Sequence, residues 1–116
     1  MLSRSQRLSV EQFNSVMEKG KIAHSSLFLA RILGGQIDTR IAAVAPQKIF
    51  KKAVIRNKIR RSVYEVLRNI QKAPNNPTMI KGVHVLVLAK SPLLKSDRTE
   101  IETDLKTLFV KAGIMR

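Results

Sequence analysis

The chain has 116 residues, of which 22 are lysine or arginine and 8 are acidic, so its formal net charge is +14. A surplus of this size destabilises a compact protein through self-repulsion unless a polyanion neutralises it, which favours nucleic acid as the partner over an anionic membrane surface. The absence of cysteine excludes a disulfide framework and a thiolate metal site. The length predicts a single domain over residues 1–116.

No segment of the sequence comes near the roughly 18 consecutive apolar residues of a membrane-spanning helix. The start of the chain is basic, but the uninterrupted apolar run of a secretory signal does not follow it. We therefore expect a cytoplasmic protein without a membrane partner, and the sequence indicates no obligate protein partner.

The first predicted element is a helix over Ser9–Lys19. Ser9 and Gln12 have the spacing of a capping box, which marks the start of a helix. Gly20 follows in the position where glycine commonly ends one.

Three apolar segments predict strands, at Ser26–Leu33, Arg40–Ala45 and Val83–Ala89. The first two are joined by Gly34–Thr39, which has the composition of a hairpin connection. The third alternates little between apolar and polar residues, so we expect it to be buried on both faces of the sheet.

Two further helices are predicted over Phe50–Lys72 and Asp97–Lys111, with a surface loop at Pro74–Pro77 after the first of them. The element order α-β-β-α-β-α favours an α/β protein of the α+β type. Its architecture would be a two-layer sandwich in which about three helices pack against a small mixed sheet.

The helix predicted over Phe50–Lys72 holds most of the charge. Between residues 47 and 72, nine basic residues stand against one acid, Glu65, which places +8 of the net +14 in less than a quarter of the chain. At about 100° per residue, an apolar stripe lies on one side of this helix and the charged residues lie beside it. Arginine suits two-point contact with phosphate, and an asparagine amide can reach a 2′-hydroxyl. The pattern predicts a nucleic-acid-binding surface formed by Lys48, Lys51, Lys52, Arg56, Asn57, Lys58, Arg60, Arg61 and Arg68, and the resemblance of these residues to a known family implies that its partner is RNA.

The alternative is an ordinary solvated face of a core helix. Such a face mixes both signs of charge, because interspersed acids relieve repulsion. Here one acid stands against nine bases, so a binding surface is the favoured interpretation. Because Arg56 and Arg60 border the apolar stripe without belonging to it, replacing both with alanine is expected to weaken RNA binding and leave the fold intact.

At these residues the chain resembles the bacterial ribonuclease P protein family. That family carries an arginine-rich helix with a pattern close to Lys-Lys-Val-x-x-Lys-Ala-Val-x-Arg-Asn-Arg-x-Lys-Arg. The corresponding segment here reads Lys48-Ile49-Phe50-Lys51-Lys52-Ala53-Val54-Ile55-Arg56-Asn57-Lys58-Ile59-Arg60-Arg61. Its Ala53-Val54-x-Arg56-Asn57 run is identical to the pattern, and the later basic residues keep the charge of their counterparts. Weaker resemblance extends over nearly the whole chain.

The resemblance implies that the chain is the protein subunit of ribonuclease P, an endoribonuclease that removes the 5′ leader of precursor tRNA. In that family the arginine-rich helix contacts the ribonuclease P RNA, which performs the hydrolysis with magnesium. No catalytic residue and no protein-bound metal or other cofactor is therefore expected in this chain. The protein would tighten substrate binding and relieve the requirement for metal ions. The family fold also implies a left-handed β-α-β crossover, against the general right-handed rule.

The family binds the precursor-tRNA leader in a cleft between the sheet and the first helix. By position, Phe13, Met17 and Arg31 would line that cleft here. An aromatic ring can stack on a base, but Phe13 also has the spacing of a hydrophobic staple with Leu8, so a role in the core is an equal alternative.

The chain departs from the family pattern at three places. Pro46-Gln47-Lys48 stands where Ser-Lys-Lys is frequent, which removes a positive charge. Met17 stands where Phe is frequent, and Tyr64 stands where Arg is frequent.

The other titratable residues do not form a recognisable catalytic site. Asp97, Glu100 and Asp104 share one face of the last helix and could hold a cation, but a solvated face that favours the helix start is the preferred interpretation. His24 and His84 have no metal-ligand spacing around them. We expect His84 to be a hydrogen-bonded residue of the sheet.

Three other functions remain open on the sequence. A structural RNA-binding protein, such as a small ribosomal protein, shares the size and the charge but not the arginine-rich pattern. A DNA-binding protein would place the basic helix in a major groove, yet the sequence lacks the short preceding helix and tight turn of a helix-turn-helix motif. A membrane-surface role is weaker, because the core requires the apolar stripe of the long helix.

Overall fold

The computed structural model describes residues 8–72 and 82–115. Its helices are α1 (Val10–Lys19), α2 (Ala53–Lys72) and α3 (Arg98–Lys111), and its strands are β1 (Lys21–His24), β2 (Phe28–Leu33), β3 (Arg40–Val44) and β4 (His84–Ala89). A 3₁₀ turn at Ser91–Lys95 leads from β4 to α3. The predicted loop at Pro74–Pro77 lies outside the described residues.

The strands form one mixed sheet in the order β1-β2-β4-β3. β1 pairs antiparallel with β2, and β2 antiparallel with β4, whereas β3 and β4 run parallel and are joined by α2. The predicted α+β sandwich, with three helices on a small mixed sheet, is therefore confirmed. The β3-α2-β4 unit is the β-α-β connection that the family resemblance implies, and its left hand stays a prediction.

The predicted hairpin between β2 and β3 is wrong, because β4 lies between these strands and pairs with both. Five of the six residues of β4 are buried. A strand this apolar is best shielded from water when it has a strand on each side and helices on both faces. The Gln36 amide donates to the Gly82 carbonyl at 2.9 Å, so the segment that joins β2 to β3 crosses the end of β4.

The sequence does not predict β1, and it starts the next strand too early. Three of the four residues of β1 are exposed and only Ala23 is half-buried, so no apolar run marks the strand. The Ser25 amide donates to the Phe28 carbonyl at 2.9 Å, which closes a tight turn. Ser26 therefore belongs to this turn and not to the strand predicted there.

The two faces of the sheet are covered differently. Ala30 of β2 and Val87 of β4 lie opposite each other and pack with buried residues of α2 and α3 into the hydrophobic core. Neighbouring residues in a strand point to opposite faces, so Arg31 lies on the other face. There its Nη1 donates to the Met17 carbonyl at 2.6 Å, which places α1 on that second face.

The predicted start of α1 is confirmed by its hydrogen bonds. The Ser9 hydroxyl accepts from the Gln12 amide at 3.2 Å, and the Gln12 side chain accepts from the Ser9 amide at 2.8 Å. Gly20 follows α1 with a φ of −69°, so its lack of a side chain serves a close approach and not a left-handed turn. A Cβ at Gly20 would lie 2.4 Å from the Val16 carbonyl oxygen.

Candidate nucleic-acid interface

Helix α2 buries one side and exposes the other, as the apolar stripe predicts. Its buried residues are Ile59, Val63, Val66, Leu67 and Ile70. The predicted RNA-binding residues are all exposed except Arg56, which is half-buried. The helix therefore joins the core along one side and presents a row of cations on the other.

The lysines before α2 lie on a fixed loop. The amides of Ile49 and Phe50 both donate to the Pro46 carbonyl, at 3.1 and 2.9 Å, and close a tight turn. Phe50 is only 2% exposed, so its ring anchors this turn in the core. Lys48 and Lys51 flank the anchor and are exposed, so the fold holds them close to the start of α2.

Arg56 is partly committed to the fold. Its Nη1 donates to the carbonyls of Phe50 and Lys51, both at 2.9 Å. The first backbone hydrogen bond of α2 runs from the Arg56 amide to the Lys52 carbonyl. The carbonyls of Phe50 and Lys51, which precede it, are satisfied by the Arg56 side chain instead. This explains why α2 begins at Ala53 and not at the predicted Phe50. We therefore expect replacement of Arg56 to reduce stability as well as RNA binding, and the intact fold of the Arg56/Arg60 double variant stays a prediction.

Asn57 and Arg60 lie one helical turn apart on the exposed side of α2. Arg60 Nη2 donates to Asn57 Oδ1, so the two side chains are oriented by each other. Because this bond uses the acceptor of Asn57, the pair presents N–H groups outward. Such a pair suits phosphate oxygens or a 2′-hydroxyl.

The charge around the start of α2 is almost entirely positive. Glu65, the one acid between residues 47 and 72, lies later in the helix and pairs with Arg98 of α3. The first turn of α2 contains no acid, whereas α1 and α3 have Glu11 and Glu100 there. The positive end of the α2 dipole therefore adds to the charge of the nearby lysines, an arrangement that favours phosphate binding.

Tyr64 stands where Arg is frequent in the family, and in this structure it serves the fold. Its ring is half-buried against the core, and its hydroxyl accepts the backbone N–H of Ala43 in β3 at 3.0 Å. β3 is the edge strand beside α2, so the hydroxyl satisfies an N–H that β4 does not bond. At a position that is often Arg in the family, Tyr64 attaches α2 to the sheet edge.

The three predicted cleft residues lie on α1 or beside it. Arg31 contacts the Met17 carbonyl, and a cation at this end of a helix is favoured by the helix dipole. Phe13 lies one turn before Met17 and so shares its side of α1. Phe13 is half-buried and Met17 is 37% exposed. The structure thus brings Met17 and Arg31 into contact and leaves part of the Phe13 ring accessible.

Sequence reasoning missed the sheet residues beside α1. This helix packs on β2 and β4, which leaves the adjacent part of β3 less covered on the same face. Leu29, Leu88 and Val44 lie opposite one another on that face and are half-buried. They form an apolar floor next to α1. One feature of the sequence could have indicated these residues. β3 and β4 are apolar on both faces, which predicts that each face of the sheet packs against protein or a ligand and not against water.

The acids of α3 hold hydrogen bonds within the fold. The Glu100 amide donates to Asp97 Oδ1 at 2.8 Å, and the pair forms a capping box. Asp104 Oδ2 accepts from the Ser25 hydroxyl at 2.5 Å and the Leu27 amide at 3.2 Å, which fixes the β1–β2 turn. Within residues 8–72 and 82–115, no group of three His, Cys, Asp or Glu residues could hold a metal ion.

His84 is a hydrogen-bonded residue of the sheet, as expected. It is 4% exposed, and its Nε2 lies 3.0 Å from Asp38 Oδ1. Arg40 Nε donates to Asp38 Oδ2 at 2.7 Å. These hydrogen bonds, that of His84 first and that of Arg40 second, lower the pKa of Asp38 below its usual value of 3.8. The cluster ties the segment before β3 to the start of β4.

None of the helices in the described part of the chain is long and apolar enough to cross a membrane.

Comparison with known sequences gives a consistent result. The sequence model of the family described as Ribonuclease P matches residues 2–113. The chain is 29% identical over 107 residues to the ribonuclease P protein component of Synechocystis sp., and the match covers 90% of this chain and 82% of that relative. It is 30% identical over 110 residues to the component from Chromobacterium violaceum, with 94% and 86% covered.

Solved structures share the fold. The RNase P protein of Staphylococcus aureus gives a TM-score of 0.76 at 21% identity, covering 96% of this chain and 98% of that chain. The RNase P protein of Thermotoga maritima gives a TM-score of 0.71 at 24% identity, covering 88% and 93%. Two proteins of this kind therefore have the same sandwich of helices on a mixed sheet.

Proposed function

The chain belongs to the ribonuclease P protein family, and from this membership we propose that it is the protein subunit of a ribonuclease P. In this role it binds the ribonuclease P RNA and the 5′ leader of precursor tRNA, and it assists the RNA-catalysed removal of that leader. The whole of residues 1–116 acts as one RNA-binding domain.

The observation that carries the proposal is the one-sided exposed surface of α2 and the loop before it. Lys48, Lys51 and Lys52 are held at the start of the helix by the buried Phe50. The other predicted RNA-binding residues follow along the exposed side of α2. RNA offers phosphates at close spacing, and each phosphate that a cation neutralises releases counterions. A fixed array of cations gains this free energy without first having to order a flexible segment.

The leader of precursor tRNA is assigned to the face of the sheet beside α1. The Arg31 guanidinium supplies a cation there, and Phe13 and Met17 supply an aromatic and a polarisable apolar surface for bases. The floor formed by Leu29, Leu88 and Val44 offers further apolar contact. Single-stranded RNA needs this combination of a cation for the backbone and flat apolar surface for the bases.

The hydrolysis is assigned to the RNA subunit and the magnesium bound to it. In the described chain, the acids of α3 and the buried His84 have hydrogen-bond partners that serve the fold, so they are poor candidates for acid–base or metal chemistry. The contribution of the protein is electrostatic. Cations placed between two RNAs offset phosphate repulsion, which lowers the concentration of magnesium needed for productive binding.

The test is cleavage of a precursor tRNA by ribonuclease P RNA at low magnesium, with and without this protein. Protein-dependent release of the 5′ leader, together with no cleavage by the protein alone, is the expected result. The absence of stimulation with several bacterial ribonuclease P RNAs, despite tight RNA binding, would overturn the proposal. That outcome would indicate a structural RNA-binding protein.

The electrostatic part has its own test. RNA affinity should fall steeply as salt rises, by roughly 10³-fold or more between about 50 and 200 mM if about six phosphates are contacted. A change of less than about twofold over that range would mean that α2 does not bind RNA through charge.

A further inference from the structure

The edge of the sheet farthest from α2 has features of a docking site. β1 forms this edge, and among the described residues β2 is its sole pairing partner. Ile22 is 53% exposed in the middle of β1. An open strand edge presents unpaired N–H and C=O groups that can pair with another extended chain.

The register shows which backbone groups point outward. The Ser25 amide donates to the Phe28 carbonyl, so these two residues form a hydrogen-bonded pair at the end of the β1–β2 ladder. Bonded and non-bonded pairs alternate in an antiparallel ladder. Ala23 is therefore bonded to β2, whereas the N–H and C=O groups of Ile22 and His24 point to the open edge.

A cavity of about 390 Å³ lies beside this edge. Its apolar lining comes from Ile22 and from Ala23, Ile32 and Ala112, and the last three are partly buried against the core. Lys21 and Lys111 also line it. The side chains of an added strand would alternate between the two faces of the sheet, so one of them would enter this cavity. The site thus combines a backbone edge, an apolar seat and two cations.

We propose that the β1 edge and this cavity bind an extended segment of an acidic protein partner. The segment pairs with the backbone of Ile22 and His24, places an apolar side chain in the cavity, and sets carboxylates against Lys21 and Lys111. Binding by strand addition has this division of labour, in which main-chain hydrogen bonds give affinity and side-chain pockets give specificity. We infer an acidic partner from charge complementarity, because Lys21 and Lys111 line the cavity together with its apolar residues.

Charge also argues against a second copy of the chain as the occupant. Each copy carries a net charge of +14, so pairing β1 with β1 would bring two strongly positive proteins together. The β1 edge lies on the opposite side of the sheet from α2, because Tyr64 fixes α2 to β3. Ile22 pairs with Arg31, so the edge is separate from the α2 surface but borders the face assigned to the leader. The inference does not rest on the proposed function, because it is argued from the strand edge, the cavity and the two lysines.

The probe is a blocked nine-residue peptide of alternating valine and glutamate, added to the ¹⁵N-labelled full chain and followed by NMR. The backbone amides of Ile22 and His24 should shift most. A peptide of alternating valine and lysine should bind at least about tenfold more weakly. Equal binding of the two peptides, no binding of either, or shifts confined to α2 would overturn the proposal.

The decisive variant is Ile22→Pro. Proline is tolerated on an edge strand where the N–H faces outward, so the fold should persist while one outward donor is lost and the edge is blocked. Peptide affinity should fall about tenfold or more, whereas Ile22→Thr, which keeps the N–H, should bind like the parent. Circular dichroism and unchanged RNA affinity would show that Ile22→Pro is folded. If the folded proline variant binds the glutamate peptide like the parent, the edge is not the site.

Discussion

The two halves of α2 differ in what their side chains contribute to the protein. In the first half, Ala53–Arg61, only Ile59 is buried, and the exposed residues include Asn57, Lys58, Arg60 and Arg61. In the second half, Ser62–Lys72, four of the side chains described up to residue 70 are buried, Glu65 pairs with Arg98, and Tyr64 holds the edge of β3. One continuous helix thus has a half that presents cations and a half that stabilises the fold.

This difference shows how a basic protein can keep a strongly charged surface without losing its core. Most of the clustered cations lie in the first half, which contributes only Ile59 to the core, and Arg68 is the one predicted RNA-binding residue of the second half. The second half contributes Val63, Val66, Leu67 and Ile70 to the core, and burial of apolar side chains is the main stabilising contribution to a fold. Substitutions in the two halves should therefore affect different properties.

The largest effect is expected in the second half. Leu67 is fully buried, so Leu67→Ala should reduce the free energy of unfolding by about 2–5 kcal/mol, because it removes apolar contacts and leaves a cavity. Urea unfolding followed by circular dichroism measures this loss. Where the variant is still folded, its RNA affinity should equal that of the parent. A decrease in the free energy of unfolding of less than about 0.5 kcal/mol would contradict the assignment of the packing role to the second half.

The next largest effect belongs to the first half. Lys58 and Arg61 are exposed, so the double variant Lys58→Ala/Arg61→Ala should change stability by less than about 0.5 kcal/mol. RNA affinity should fall by roughly tenfold per residue, since each lost contact is a charge-assisted bond to phosphate. Binding titrations at several salt concentrations check this result, with a shallower salt dependence expected for the variant. An affinity equal to that of the parent would show that this half does not bind RNA.

Tyr64→Phe should have a smaller effect and sharpen the boundary between the halves. The change removes the hydroxyl that accepts the Ala43 N–H and should cost about 1 kcal/mol of stability. Hydrogen exchange of the Ala43 amide should become faster. If RNA affinity fell instead while stability stayed the same, Tyr64 would belong to the RNA surface.

The smallest expected effect concerns pH and lies outside α2. The hydrogen bonds from His84 and Arg40 hold the pKa of Asp38 below 3.8 in the folded protein, so the ionised form is favoured by folding. The stability from this group is present above pH 3.8 and is lost as the pH falls through the lower folded pKa. An NMR titration of the Asp38 carboxyl should give a midpoint below 3.8, and Asp38→Asn should remove this part of the acid sensitivity. A midpoint at or above 3.8 would contradict the assigned hydrogen bonds.

Sequence patterns predicted the parts of the fold that depend on local chemistry. Ser9 and Gln12 located the start of α1, and the apolar stripe of α2 located its buried side. β1 escaped because its exposed residues leave no apolar run, and the place of β4 between β2 and β3 depends on long-range pairing that no local pattern encodes. The hydrogen bonds of Tyr64 and Arg56 also required the structure, since both side chains reach across to other segments.

For the candidate site, the sequence identified which residues are basic and on which side of α2 they lie. It could not separate cations that point to solvent from Arg56, whose guanidinium is shared with the loop before the helix. Nor could it identify the floor beside α1, because Leu29, Leu88 and Val44 come together only through the register of three strands. Their role in binding the leader stays a prediction.

The most direct test of the account is stimulation of precursor-tRNA cleavage at low magnesium by two variants of equal charge. Lys58→Ala/Arg61→Ala removes two cations from the first half of α2, and Lys19→Ala/Lys95→Ala removes two exposed cations elsewhere. The α2 variant is expected to lose most of the stimulation, while the control variant stimulates like the parent. Equal stimulation by both variants would contradict this expectation, because net charge alone would then explain the activity.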